Sequence, residues 1–424
     1  MIEDSKVQNE YEVAKELYES IKNDTKSLEN QDNQDNLEIQ NADKFLAKES
    51  FEDMELSQNL LISIYEAGYK KPSLIQKVVI PAIKDKNDVA VQSKSGTGKT
   101  IAFVVGMLSR IEPGSGTQAV ILSPTRELNM QIYNELSKLT KSLGIQCFLA
   151  LRDKPSEGLN HEIILGSPGS ILSLCTRRKF NYRNLKVLVL DETDVLLDKS
   201  TMGSQTFRLL KAFENAQKIY ISATYNEDIK RTITAYSPKC ISLYEKNNSK
   251  PDEIKLYHID IHHKDKLRAL ESIYGLLTVA QVIVFVSKKS TVKYLESILS
   301  QDMNSVAILH GDLLPEERDE AVDKFKTSKC KILITTDVFS RGMDIPQVNL
   351  IINYDLPYNR EELLIETYIH RIGRSGRFGR SGFVIDMIGN EKELVDYIRI
   401  QESLDTISKG FSVPALEEVT LNEK

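Results

Sequence analysis

Asp88-Val89-Ala90-Val91-Gln92-Ser93-Lys94-Ser95-Gly96-Thr97-Gly98-Lys99-Thr100 is the stretch from which the fold can be read. It reads as a short apolar strand, a loop of small residues, and Lys-Thr opening an apolar helix from Ile101 to Leu108. A bound triphosphate needs backbone N–H groups at close range, and a helix N-terminus adds further donors and the positive end of a dipole. Ser95, Gly96, Thr97 and Gly98 therefore form the candidate phosphate cradle, with Gly96 and Gly98 keeping side chains out of the way. Lys99 can reach the β- and γ-phosphates, and the Thr100 hydroxyl can sit on Mg²⁺. The generic pattern opens on Gly, and Ser93 takes that place here.

Working outward, apolar β-type runs alternate with helical patterns: Val89 to Val91, Gln118 to Leu122, Ile163 to Leu165, Val187 to Leu190, and Ile219 to Ser222. Such alternation predicts a parallel sheet covered by helices. The polar segment Lys246-Asn247-Asn248-Ser249-Lys250-Pro251 breaks the pattern and reads as a linker. A second series follows at Val282 to Val286, Val306 to Leu309, Ile332 to Thr336, Leu350 to Asn353 and Phe383 to Ile388, with no phosphate loop of its own. The expected organisation is an extension over 1–47, a triphosphate-binding α/β domain over 48–245, a linker over 246–252 and a second α/β domain over 253–424. In the extension, Val7, Tyr11, Ala14, Tyr18 and Ile21 fall at helical spacing. The run Asn30-Gln31-Asp32-Asn33-Gln34-Asp35-Asn36 has nothing to bury and reads as flexible linker. From Gln401 the tail is mixed in character and carries no motif.

The totals are those of a globular protein: 424 residues, 41% hydrophobic and 27% charged. A net charge of -6 argues against coating nucleic acid by bulk electrostatics, so any grip on it must be local or conditional on another ligand. No apolar run suits a membrane span, and the N-terminus is too acidic and polar for a signal peptide. Cys147, Cys175, Cys240 and Cys330 are scattered without metal-ligand spacing, which suits reduced thiols. His258, His262 and His263 lack companion ligands at metal spacing.

The chemistry of the first domain gathers at strand ends. Lys186-Val187-Leu188-Val189-Leu190 runs into Asp191-Glu192-Thr193-Asp194. In open α/β sheets ligands sit beyond the carboxyl ends of strands, so these carboxylates should face the phosphate loop. Asp191 would hold Mg²⁺ through water, and Glu192 would orient and deprotonate the attacking water. Ile221-Ser222-Ala223-Thr224 ends the next strand, where the hydroxyls of Ser222 and Thr224 could bridge the acidic cluster to the other domain.

With these motifs in order, the chain resembles a DEAD-box RNA helicase from about Phe51 to Ile388, with Thr193 in place of the usual Ala. The resemblance implies two tandem RecA-like parallel-sheet domains, with ATP and Mg²⁺ as cofactors. Gly68-Tyr69-Lys70-Lys71-Pro72-Ser73-Leu74-Ile75-Gln76 resembles the adenine-reading motif. It assigns the base edge to the Gln76 amide, and stacking on the base to Phe51 or Tyr69. Ser123-Pro124-Thr125-Arg126-Glu127-Leu128 and Gly166-Ser167-Pro168-Gly169-Ser170 resemble the RNA-contacting motifs. This implies RNA contacts at Pro124, Thr125, Arg126, Pro168 and Gly169, with Ser170 standing where many members carry Arg. Arg177-Arg178-Lys179 reads instead as a solvated basic turn.

In the second domain Tyr368-Ile369-His370-Arg371-Ile372-Gly373-Arg374-Ser375-Gly376-Arg377 is the most informative segment. A planar guanidinium can hold a γ-phosphate bidentately and offset charge developing in the transition state. By resemblance, Arg374 and Arg377 are the arginine fingers, and His370 and Arg371 couple them to the acidic cluster. Thr335-Thr336-Asp337-Val338-Phe339-Ser340-Arg341-Gly342-Met343-Asp344 resembles the motif that touches both ligands, with Ser340 in place of the usual Ala. It implies ribose contact from Asp344 and RNA contact from Thr336 or Arg341. Val284-Phe285-Val286-Ser287 and His310-Gly311-Asp312 complete the series, with RNA contacts implied at Gly311 and Arg318. Pro315 stands where Arg318 usually has a Gln companion.

The resemblance also implies a mechanism. ATP is held from both domains, closes them on one RNA strand, and parts a short duplex without long translocation. By linkage, RNA then strengthens ATP binding equally. Tyr274-Gly275-Leu276-Leu277-Thr278 and the longer insert Tyr358 to Thr367 resemble the mRNA-export branch that works at the nuclear pore. Those relatives carry an inhibitory N-terminal helix that wedges between the domains. They also have a pore-bound activator protein, acting with inositol hexakisphosphate in some lineages, and a nucleoporin partner. The expected protein is a monomer of the cytoplasm and nucleus at the cytoplasmic face of the pore. A translation- or splicing-type relative, an ATP-gated RNA clamp with little unwinding, and a DNA-directed relative are the alternatives.

Overall fold

The computed structural model describes residues 2–24, 37–40, 47–93, 96–151, 158–245, 254–276, 281–302, 306–337, 348–375 and 382–422. Ser95, Arg341, Asp344 and Arg377, with the linker over 246–252 and the polar run over 30–36, lie outside them. The described residues divide into two compact units. Residues 37–245 form the first, and residues 254–422 together with 2–24 form the second.

Eight strands are described in the first unit: β1 (Leu37–Gln40), β2 (Val89–Gln92), β3 (Ala119–Leu122), β4 (Cys147–Ala150), β5 (Ile163–Gly166), β6 (Val187–Asp191), β7 (Gln217–Ser222) and β8 (Ile241–Glu245). They pair in the order β1-β8-β2-β7-β6-β3-β5-β4. All neighbours are parallel except β1, which runs antiparallel on β8. Every residue of β2, β3, β5, β6 and β7 is buried. A sheet covered by helices on both faces requires that, and it explains strands that read as continuous apolar runs rather than alternating ones.

Register brings the strand ends level. Gln92 on β2 lies beside Ser222 on β7, Ile221 on β7 beside Asp191 on β6, and Leu122 on β3 between Leu190 and Gly166. The phosphate loop, the Ser222 turn and the acidic cluster thus leave adjacent strands on one half of the carboxyl edge. The Ser123 and Ser167 turns leave the other half.

The second unit carries β9 (Ile254–Asp260), β10 (Gln281–Phe285), β11 (Val306–Leu309), β12 (Ile332–Thr335), β13 (Val348–Asn353), a hairpin of β14 (Tyr358–Asn359) and β15 (Glu362–Leu363), β16 (Gly382–Ile388) and β17 (Lys409–Gly410). Apart from the hairpin, these form a parallel sheet in the order β11-β12-β10-β13-β16-β9-β17. The insert read from Tyr358 to Thr367 is this hairpin, turned at Arg360 in a left-handed conformation (φ 58°), followed by the helix Ile365–Ile372. The Tyr358 hydroxyl donates to Asp396 at 2.9 Å and so pins the hairpin to the helix Glu391–Ser403.

Three sequence readings need correction. The N-terminal helix spans Ile2–Asp24 and packs within the second unit, against β17 and the helix Val413–Asn422. Its buried stripe is Ala14, Leu17 and Ile21, flanked by Tyr11, Val13 and Tyr18, while Val7 is exposed. Glu16 anchors it through Lys409 at 2.5 Å, and Lys255 donates to Ser20 at 2.9 Å. The expected stripe drifted because it set Tyr18 at the centre, where the neighbouring Leu17 sits. Second, the 1–47 extension is not wholly separate, since β1 closes an edge of the first sheet. Third, the tail from Gln401 completes the second core: Phe411, Ala415, Leu416 and Val419 are all buried in it. No helix among the described residues is long and apolar enough to cross a membrane.

Candidate nucleotide and RNA sites

The phosphate loop turns through Gly96 and Gly98, both at φ 88°, a left-handed conformation that disfavours any side chain. Lys99 opens the helix Lys99–Leu108 and donates back to the Ser93 carbonyl. Ser93, standing where Gly is usual, places its hydroxyl 3.0 Å from that of Thr97 and braces the loop from inside. Ser73 donates to the Thr97 carbonyl at 2.9 Å.

Gln76 is buried and caps its own helix, Leu74–Lys84, accepting from the Ser73 amide at 3.0 Å. Its Nε2 donates to the Gly98 carbonyl at 3.2 Å, and a side chain at Gly98 would strike that nitrogen. Gln76 therefore fixes the loop as well as retaining one N–H and one lone pair for a base edge. Of the two stacking candidates, Phe51 is fully enclosed in the core of the first unit. Tyr69 is half-buried, with its hydroxyl donating to Glu135 at 3.0 Å.

Asp191, Glu192 and Asp194 are all buried. Burial, and next the neighbouring charge of Glu192, push the Asp191 carboxyl up to about 8, while Lys99 pulls it down. Two like charges taken out of water side by side are costly, and a hard divalent cation on these oxygens would relieve that cost. The residues present thus fit Mg²⁺. Glu192 itself sits at φ 56°, a left-handed conformation rare for a residue with a side chain. Such strain is stored where the surrounding structure fixes it, commonly at functional sites.

Asp194 accepts from Ser222 Oγ at 2.8 Å and from Thr224 Oγ1 at 3.3 Å, so the hydroxyl turn and the acidic cluster meet inside the first unit. Thr193, in place of the usual Ala, is fully buried. Its hydroxyl donates to the Leu190 carbonyl at 2.8 Å and accepts from the Ile221 amide at 3.0 Å, tying β6 to β7.

On the other half of the edge, Thr125 caps the helix Arg126–Thr140 by accepting from the Leu128 amide. Pro124 is buried and Arg126 half-buried. Pro168 opens the helix Pro168–Thr176 behind a Ser167 cap. Gly169 lies against Gln205, whose Oε1 would be 3.1 Å from an added Cβ. Ser170, in the usual Arg place, has its hydroxyl 3.0 Å from that of Ser167.

In the second unit the Thr336 amide leans on the Leu309 carbonyl, which places Thr336 beside the exposed Gly311 turn. Arg318, half-buried, stands on the helix Pro315–Lys326 that follows it. His370 and Arg374 are buried, and Arg374 Nε donates to the His370 carbonyl at 3.1 Å. Arg371, read as a coupling residue, is fully buried. Its guanidinium bonds Asp337 (2.7 Å), Asn353 Oδ1 (3.1 Å) and the Asp355 carbonyl (2.7 Å), above the Phe285 ring at 5.0 Å. These contacts brace Arg371 within its own unit. The sequence motifs include Asp337 without giving it this task, and the sequence alone singles out none of Asn353, Asp355 and Asp386. The three histidines are not a ligand set: His258 pairs with Ser408 and His263 with Asn390.

Residues 73–232 match the DEAD/DEAH box helicase family, and residues 265–379 match the helicase conserved C-terminal domain. ATP-dependent RNA helicase DBP5 of Kluyveromyces lactis is 38% identical over 372 residues, covering 85% of this chain and 78% of that protein. The structure of S. cerevisiae Dbp5 bound to RNA and ADP BeF3 matches with a TM-score of 0.83 at 34% identity, over 88% of this chain and 98% of that one. A variant S. cerevisiae Dbp5 bound to Nup159, a Gle1 variant, IP6 and ADP matches with a TM-score of 0.60 at 33% identity, over 87% of this chain and 98% of that one. The chain therefore belongs to the DEAD-box RNA helicase family, and within it resembles the DBP5 proteins.

Proposed function

We propose that this protein is an ATP-dependent RNA helicase that binds single-stranded RNA with ATP, parts short duplexes or remodels RNA–protein complexes, and serves mRNA export. The observation that carries the reading is the level end of β2, β7 and β6. It sets the phosphate loop, Ser222 and the Asp191 cluster side by side.

Each group then has a task. Lys99 leaves the Ser93 carbonyl for the β- and γ-phosphates, a stronger acceptor for an ammonium. Thr100 and Asp191 hold Mg²⁺, which when bound neutralises phosphate charge and the buried carboxylates. Glu192 orients the attacking water and takes its proton. Gln76 offers its remaining donor and acceptor to adenine N7 and N6, with Tyr69 as the stacking ring. Arg374 and Arg377 of the second unit offset charge on the γ-phosphate in the transition state. Ser95, Gly96, Thr97 and Gly98 contact the phosphates, and Asp344 contacts the ribose.

RNA lies on the other half of the first edge and on the β11–β12 end of the second. Pro124, Thr125, Arg126, Pro168, Gly169, Gly311, Arg318, Thr336 and Arg341 provide contacts to its phosphates and 2′-hydroxyls. Such contacts give a grip independent of sequence that tells RNA from DNA. Ser222, Thr224, His370 and Arg371 link the nucleotide to closure. Similarity to Dbp5 as bound to Gle1, IP6 and Nup159 supports an activator protein with an inositol phosphate, and a nucleoporin, as partners. It also supports action at the cytoplasmic face of the nuclear pore, with the protein in both cytoplasm and nucleus.

ATP hydrolysis by the full-length chain should rise with single-stranded RNA and much less with DNA of the same length. Glu192→Gln should abolish turnover and keep ATP-dependent retention on RNA. Turnover surviving in that variant sinks the base assignment, and equal stimulation by DNA sinks the substrate.

A further inference from the structure

We propose that Asp386, which lies in none of the motifs, is a positioning residue for the arginine-bearing segment: by fixing the side-chain amide of Asn353, it sets the Arg371 guanidinium against Asp337. The role in turnover rests on the ATPase reading above. The geometry stands by itself.

Asp386 lies on β16, fully buried, and three donors converge on it. Tyr368 and Tyr397 donate their hydroxyls to Oδ2 at 2.8 and 2.9 Å, and Asn353 Nδ2 donates to Oδ1 at 2.8 Å. An ionised carboxylate only accepts, so Asn353 must turn its NH2 toward Asp386 and its carbonyl oxygen away. That oxygen is what Arg371 Nη1 meets at 3.1 Å. Reversing the amide would set an oxygen against a carboxylate and an NH2 against a guanidinium, losing both bonds at once. Buried groups left unpaired in this way cost about 1–3 kcal/mol each.

With its amide partner set, Arg371 can hold Asp337, which directly follows the Thr335-Thr336 pair at the end of β12. Asp386 also grips the same helix directly, because Tyr368 stands one turn before Arg371 on Ile365–Ile372. One carboxylate thus orients the helix leading to Arg374 and the strand end at Thr335, Thr336 and Asp337. Burial raises the Asp386 carboxyl to about 6, with the donated hydrogen bonds and Arg371 pulling it down. It is therefore ionised near neutral pH, as the argument requires.

The test uses an exchange in the full-length chain. Asp386→Asn keeps an oxygen for both tyrosines but opposes two NH2 groups at Asn353. RNA-stimulated kcat should fall about tenfold, the equivalent of one such bond (~1.4 kcal/mol), while KM for ATP changes little. Asn353→Asp alone opposes two carboxylates and should be impaired as well. Combining the two restores every donor to an acceptor, and it should recover kcat and the slow amide hydrogen exchange of Thr336 and Asp337. Tyr397→Phe removes one donor without touching Asn353, so it should lower the melting temperature and spare kcat.

Wild-type kcat in Asp386→Asn overturns the proposal, and so does an exchanged pair that stays impaired. Should the single variant fail to fold, recovery of fold and kcat by the exchange supports it, and no recovery overturns it. A wild-type chain without RNA-stimulated ATPase would instead overturn the functional reading. The hydrogen-exchange comparison would then still judge the positioning.

Discussion

Each unit buries charge at the carboxyl ends of its strands, but the two do it differently. In the first, Asp191 and Glu192 sit side by side out of water, and Asp191 is pushed up to about 8 by burial and by its neighbour. In the second, Arg371 is equally buried but enclosed by Asp337, Asn353 and the Asp355 carbonyl, with Phe285 beneath it. A cluster of adjacent buried carboxylates is poised to take a cation and activate water. A satisfied one rigidifies its surroundings. The difference teaches that one buried centre is suited to a cation while the other fixes local geometry.

The largest effect should come from the first centre. Glu192→Gln removes the proposed general base and should lower turnover by about 10²–10⁴-fold, read as ATPase at saturating RNA, with little change in melting temperature. Its counterpart in the second centre is Arg371→Ala. This strands the buried Asn353 oxygen and the Asp355 carbonyl and should destabilise the second unit by about 1–3 kcal/mol, seen in denaturant unfolding. If Arg371→Ala instead cost only turnover, the contrast between the centres would fail.

A pH series sharpens the comparison next. The Asp386 carboxyl is raised from 3.8 to about 6 in the folded protein. Its contribution to stability is therefore fully present below about pH 4 and is lost as pH rises through 6, by at most about 3 kcal/mol. Subtracting the pH dependence of the Asp386→Asn variant from that of the wild type should leave this falling curve. A flat or rising difference would be incompatible with the burial argument. The smallest effect belongs to Thr193→Val, which keeps the shape but strands the Leu190 carbonyl and the Ile221 amide. It should cost about 1–3 kcal/mol in the first unit, measured by unfolding.

Much of this was legible in the chain itself. The ten apolar runs read as strands all recur as strands, because strands buried on both faces need unbroken apolar sequence. The strands passed over were the hairpin pair β14 and β15 and those at or near sheet edges: β1, β4, β8, β9 and β17. Edge strands are partly solvated, and their sequences carry polar residues such as Glu38, Lys255 and His258. The phosphate loop, the Asp191 cluster and the arginine segment were readable because their chemistry demands particular residue types at fixed spacing.

What sequence alone determined, then, is the local chemistry: which loops suit phosphate, which carboxylates follow a buried strand, and which segment offers paired guanidiniums. Only the tertiary structure decided the partnerships. Asp386 and Asn353 stand 33 residues apart and meet because β16 lies beside β13. The N-terminal helix joins the second core because Leu17 and Ile21 find an apolar face there, built by chain more than 200 residues away. Short-range spacing records what one segment can do, whereas burial and hydrogen bonding between distant segments depend on sheet order, which no single stretch encodes.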